Sequence, residues 1–246
     1  LVVFSLASAA GGIALGRAAD AYGKKLILMT FYLLGGAGIL LLMFVAQLFW
    51  VIGIHGNQMI KPIREPLLLG AITVNMSAFE QGKEVPNIIT MPFWDVYMSI
   101  GGSGLTIGLL IAVMIATKRK EMKEIAKLSF GPGIFNINEP VIFGMPIMLN
   151  PILAVPFIIT PLVTGSIGYF ATAAGFAGKA VVMVPWTTPP LINAWLSTAG
   201  SMGAVVTQLI CILTAVLIYL PFVKIASRRA ENAQRQAEND QASQQI

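Results

Sequence analysis

The chain of 246 residues is 56% hydrophobic and only 11% charged, with a mean hydropathy of +0.78 and a formal net charge of +5. A soluble domain carries roughly a quarter charged residues, so most of this surface faces something other than water. The positive charge sits in clusters beside apolar stretches, without an aromatic-interleaved basic surface, and reads as a topology signal instead of a nucleic-acid footprint.

Residues 1–16 are already apolar and rich in small side chains, with no charged leader or cleavage site. The chain therefore opens in mid-run, and an N-terminal portion is expected to be missing. Residues 17–25 are polar, and 27–54 form a stretch longer than the roughly 20 residues a bilayer-spanning helix needs. Its Gly35-Gly36-Ala37-Gly38 patch would let another helix approach closely. Residues 53–66 turn polar without losing helical character, and 75–93 form the most water-compatible internal stretch. Gly101-Gly102-Ser103-Gly104 leads into a second span ending near Thr117, followed by the basic, helix-compatible segment 118–127.

Residues 132–161 are apolar yet contain Pro132, Pro140, Pro146, Pro151, Pro156 and Pro161. A continuous helix would lose several hydrogen bonds there, and in hydrocarbon each freed carbonyl must find a partner. Broken, re-entrant helices buried in protein meet both demands. A third span is expected over 157–178, a break with Trp186 over 184–190, and a fourth span over 204–223. Residues 224–229 are basic, and 230–246 form a polar tail, helical or disordered. The domain expectation is thus a membrane part over 1–229 and a cytoplasmic tail over 230–246. The fold class is an all-α polytopic membrane protein with transmembrane helices and re-entrant broken-helix hairpins. Two spans separate successive basic clusters at 17–25, 118–127 and 224–229, so all three, with the C-terminus, are expected on the cytoplasmic face of the cell membrane.

Two ionisable groups lie within or beside apolar sequence: His55, in Phe49-Trp50-Val51-Ile52-Gly53-Ile54-His55-Gly56, and Glu139, followed by Pro140. An acid at membrane depth costs at least a few kcal/mol and is a functional candidate by default. Glu139 also suits a helix start, with Pro140 at the first helical position, and both readings can hold together. For His55 a satisfied interior histidine and a functional one stand side by side. Asn136, Asn138 and Asn57 offer amide groups of the kind that read sugar hydroxyls. Trp50 and Trp186 flank the candidate segments, as stacking faces or interfacial anchors, whereas Trp94 and Trp195 read as anchors. Arg64-Glu65 reads as a local structural ion pair. The single cysteine, Cys211, lies in an apolar run, and no cofactor motif or metal-type Cys/His spacing is present.

Gly131-Pro132-Gly133-Ile134-Phe135-Asn136-Ile137-Asn138-Glu139-Pro140, continuing to Pro151, resembles the membrane (IIC) component of bacterial sugar phosphotransferase systems, in particular the lactose/cellobiose/diacetylchitobiose family. The His55 segment and Pro92-Phe93-Trp94-Asp95 through Gly104 resemble that family in the same order, and the likeness runs to about Arg229. The chain looks like the C-terminal half of a permease of the EIIC glucose-superfamily type. The resemblance implies transport of a β-disaccharide such as cellobiose, phosphorylated on entry by a separate cytoplasmic IIB protein (with IIA), the phosphate riding on a cysteine of IIB. It further implies a homodimer in the lipid bilayer, Glu139 and His55 as catalytic residues contacting the sugar, and Trp50 and Trp186 stacking on it. A carboxyl withdrawn from water holds a proton more firmly, which would suit Glu139 as the base for the accepting hydroxyl. The rival class is a cation-coupled secondary sugar transporter, which also uses broken helices at membrane depth.

Overall fold

The computed structural model describes residues 24–145 and 147–244, so the opening apolar run and the 17–23 part of the first basic cluster lie outside the described residues. The chain divides into two compact units, Leu1–Leu41 and Leu42–Ile246. The described part of the first is helical throughout, the beginning of α1 (Lys24–Val51). Everything below concerns the second unit.

Among the described residues the regular structure is entirely helical. After α1 come α2 (Gly56–Glu80) and α3 (Met91–Phe93), which continues as a π-helical turn over Trp94–Met98. A glycine-rich bend and a 3₁₀ turn (Ser103–Leu105) lead into α4 (Thr106–Ala116). Then follow α5 (Lys120–Ile134), the short α6 (Glu139–Gly144), α7 (Pro151–Ala173), α8 (Ile192–Ser197) and the long α9 (Met202–Gln244). Three segments among the described residues are long and apolar enough to cross a bilayer: Met91–Ala116, Pro151–Ala173 and Met202–Gln236. They coincide with three of the four expected spans, and α1 occupies the place of the remaining one.

The proline-rich region is less broken than its sequence suggests. The interruption is confined to residues 135–150, and α7 runs straight through Pro156 and Pro161. Its polar groups are satisfied within the helix: the hydroxyls of Thr160, Thr164 and Thr172 donate to carbonyls one turn back, at 2.6, 3.1 and 2.8 Å.

The core gathers around α9, which packs along α7 and α4. Tyr219, Phe157, Leu109, Leu110, Val141 and Ile142 are almost fully buried in one cluster. Gly108 allows the close α4–α9 approach, since a Cβ there would lie 2.6 Å from that of Ala215. Buried polar side chains act as ties. Gln208 Nε2 donates to the Val96 carbonyl (2.8 Å) and to Asn193 Oδ1 (2.9 Å), binding α9 to the π turn and to α8. Asn75 exchanges hydrogen bonds with the backbone of Asn87 and donates to the Ala180 carbonyl. Lys179, the one charge in residues 140–223, donates to the Val85 carbonyl at 2.6 Å. At the far end, the Thr117 and Ser227 hydroxyls meet at 2.8 Å, bringing the basic segments 118–127 and 224–229 to the same end of the bundle.

Enlarging Gly108 to Val should push α4 off α9 at an overpacking cost of about 1–3 kcal/mol. The thermal midpoint of the detergent-solubilised protein should fall measurably. Gly131→Ala, whose added methyl would meet nothing within 4 Å, should leave it unchanged or higher.

Candidate functional site

Two helix endings of the same design present the two principal side chains. At the end of α1 the amide of Ile54 donates to the Phe49 carbonyl (2.9 Å) and that of Gly53 to the Trp50 carbonyl (3.0 Å), with Gly53 at φ 87°. This paired closure needs a left-handed residue just past the helix, normally glycine. It reverses the chain so that Trp50, in the last turn, faces His55, just ahead of α2. Their rings lie 4.3 Å apart between centroids, tilted by 45°.

At the end of α5 the amide of Ile137 donates to the Pro132 carbonyl (3.1 Å) and that of Asn136 to the Gly133 carbonyl (3.0 Å). Here the left-handed residue is Asn136, at φ 62°, the non-glycine residue that tolerates this conformation best. Two residues later Asn138 precedes α6, which opens with Glu139 and Pro140. Glu139 is thus a helix-start residue as well as a site residue. His55 Nε2 and Glu139 Oε1 are 3.8 Å apart. That is too long for a direct hydrogen bond, yet a single hydroxyl can lie beside both. Within this chain their side chains are 43% and 47% exposed. The carboxylate lines the wall of a cavity.

The cavity has a volume of about 290 Å³ and is lined by Trp50, His55, Asn57, Asn136, Asn138, Glu139 and Trp186 together with α2 and the π turn. Every site residue singled out from the sequence therefore shares one pocket. Its size is near the lower end for small-molecule sites, roughly 300–1,000 Å³. Trp50 is buried and Trp186 exposed.

The asparagines mainly hold the frame. Asn136 Oδ1 accepts from the Gly101 amide (2.8 Å), and its Nδ2 donates to the Trp186 (2.6 Å) and Thr188 (3.2 Å) carbonyls. Asn138 Nδ2 donates to the Ser103 carbonyl and Asn57 Nδ2 to the Ser103 hydroxyl, at 2.8 and 2.9 Å. Gly102, at φ 93°, passes so near Asn138 that a Cβ would collide with its amide. Asn136 has both amide hydrogens committed to protein, whereas Asn138 and Asn57 each donate once. Asn57 Oδ1 is buried without a hydrogen-bond partner.

The sequence reading left several pocket residues aside. Trp94 is 1% exposed and is no interfacial anchor, because the π turn rotates it inward beneath α2. The Arg64 guanidinium lies over its ring, 4.9 Å from the centroid. Arg64 and Glu65 approach to 3.9 Å, as expected of a local ion pair, but both also line the cavity, as do Lys61 and Asp95. The criterion that selected Glu139, an acid at the edge of apolar sequence, would also have selected Asp95, next to the charge-free run 96–117. Among the described residues no cluster of three or more His, Cys, Asp or Glu side chains could hold a metal ion.

The family profile described as "Phosphotransferase system, EIIC" matches residues 3–161. The chain is 42% identical over 196 residues to the "Lichenan permease IIC component" of Bacillus subtilis (strain 168), a match covering 78% of this chain and 43% of that protein. It is 38% identical over 210 residues to the "PTS system cellobiose-specific EIIC component" of Geobacillus stearothermophilus, covering 83% and 46%. The crystal structure of the transporter ChbC, the IIC component from the N,N'-diacetylchitobiose-specific phosphotransferase system, aligns with a TM-score of 0.79 at 36% identity over 86% of this chain and 50% of that one. The chain spans about half the length of the curated relatives it matches. By profile, sequence and fold, it belongs to the EIIC family of the phosphotransferase system.

Proposed function

We propose that this chain is the site-bearing part of a sugar permease that takes up a β-linked disaccharide and phosphorylates it on entry. The observation that carries the reading is the convergence of His55 and Glu139, 3.8 Å apart, on a cavity walled by Trp50 and Trp186. Indole faces suit the apolar faces of pyranose rings, and the polar pair suits a hydroxyl. The relatives named for cellobiose and diacetylchitobiose favour a β-glycoside.

In this reading the reactive hydroxyl sits between His55 and Glu139. Glu139 accepts its proton as the oxygen bonds to phosphorus and the phosphorus–sulfur bond on the phosphorylated IIB partner breaks. His55, braced against Trp50, orients the same hydroxyl. The phosphate donor is the separate IIB protein, itself recharged through IIA. The partner docks on the face bearing segments 118–127 and 224–229, which we place in the cytoplasm because basic segments prefer that side. Their meeting at one end of the bundle supports the placement. Residues 1–229 make up the membrane part and 230–246 a cytoplasmic tail, and the intact protein works as a homodimer in the bilayer.

Uptake by cells carrying the intact protein should require phosphoenolpyruvate and the IIB partner, with radiolabelled sugar recovered as its phosphate. Recovery of unmodified sugar, or collapse of uptake on adding a proton uncoupler at constant phosphoenolpyruvate, would favour a cation-coupled transporter instead.

Glu139→Gln should lower the rate of sugar-phosphate formation by about 10²–10⁴-fold, the usual worth of a positioned base. Near-normal turnover in that variant would remove the assignment.

A further inference from the structure

The segment that carries Trp186 is clamped from two sides, and only one of them belongs to the hairpin of Glu139. Asn136 holds the near end, through the carbonyls of Trp186 and Thr188. The far end is held by Gln208, a fully buried side chain of α9 that lies outside the cavity lining. Its Oε1 accepts from the Leu191 amide, and its Nε2 donates to the Val96 carbonyl (2.8 Å) and to Asn193 Oδ1 (2.9 Å).

Leu191, the residue just ahead of α8, has φ 70° and ψ −43°. This lies near the tight γ-turn of positive φ, a rare and strained conformation that a residue bearing a Cβ keeps only where its surroundings over-determine it. The Val96 carbonyl and Asn193 are served by Nε2 alone. The acceptor oxygen is given to the backbone amide of this strained residue. The stretch back to Trp186 is stiff, because Pro185, Pro189 and Pro190 have fixed φ and the Thr188 amide closes a turn on the Pro185 carbonyl (2.9 Å). Relaxation of Leu191 to negative φ would therefore swing the stretch instead of being absorbed within it.

We propose that Gln208 is a positioning residue of the site: it locks Leu191 in its strained turn and so sets where the Trp186 indole stands on the cavity wall, without touching the ligand. The consequence for binding rests on the sugar-site reading above; the consequence for the indole does not.

The test uses the full-length protein in nanodiscs, labelled with 5-fluorotryptophan. The Trp186 fluorine resonance is identified by its loss in Trp186→Phe, and cellobiose, lactose and diacetylchitobiose are the probes for calorimetric binding. Gln208→Met, which keeps the length and removes all three hydrogen bonds, should shift or split the Trp186 resonance. It should weaken the tightest probe by about tenfold, within the range for coupled residues. Adding Leu191→Gly should return the resonance towards its wild-type position and the affinity to within about threefold of wild type, because glycine adopts positive φ without strain and does not need the lock. An unmoved resonance on Gln208→Met, or no recovery on adding Leu191→Gly, means that Gln208 serves packing alone, and the proposal falls. Should Gln208→Met fail to fold, Leu191→Pro forces negative φ with Gln208 untouched. That variant should show the same shift and the same loss, and an unmoved resonance there overturns the proposal. A shifted resonance with unchanged affinity upholds the positioning and removes Trp186 from the contacts of the sugar. Failure of wild type to bind any of the three probes sinks the sugar-site reading, while the resonance still decides whether Gln208 holds the indole.

Discussion

The arrangement depends on one short strap of backbone, residues 101–103, gripped by three asparagine side chains. Asn136 accepts from the Gly101 amide, Asn138 donates to the Ser103 carbonyl, and Asn57 donates to the Ser103 hydroxyl. These bonds join the start of α2 to the hairpin that carries Glu139. Each is an ordinary hydrogen bond, worth about 0.5–1.5 kcal/mol net, but leaving any of these buried partners bare would cost more. The strap helps set the separation between His55 and Glu139, which share no direct hydrogen bond, together with the Leu149 amide donating to the Val51 carbonyl (3.0 Å). The glycines of the strap follow from the same demand. Gly102 runs against Asn138 with no room for a side chain, in a left-handed conformation that other residues avoid.

A common backbone device then explains why both chemical side chains stand at the cavity. Each follows a helix that ends in a left-handed residue with two reversed hydrogen bonds, Gly53 in one case and Asn136 in the other. A helix end of this kind satisfies its last carbonyls internally, which matters most where water is scarce. It also turns the chain sharply, so the next few residues project into the space beyond the helix. Asn136 does two jobs at once: its backbone makes the turn and its side chain makes the strap.

Much of this was legible in the sequence. Membrane class and the spans follow from charge-free runs, which also mark His55 and Glu139 as candidates; that these two share a site with Trp50 and Trp186 was implied by the family resemblance. The asparagines were legible as site residues but not in their role, because residue type cannot say whether an amide faces ligand or backbone. The extent of the proline break was overestimated at Pro156 and Pro161, through which α7 runs without interruption. Trp94 was read as an interfacial anchor because an irregular turn leaves no periodic signature of which way a side chain faces, whereas Asp95, beside a charge-free run, was legible by the criterion that selected Glu139.

The carbonyl of Trp186 is bonded to the side chain of Asn136, so the indole and the acid are mounted on a shared chassis although they come from distant parts of the chain. Any rocking of the Glu139 hairpin across the membrane would haul the indole with it. On the function proposed above, a ring cargo stacked on that indole would keep the same hydroxyl in register with the carboxylate throughout the journey. Chemistry would then be indexed to the carrier's own frame, independent of which side of the membrane the cavity faces.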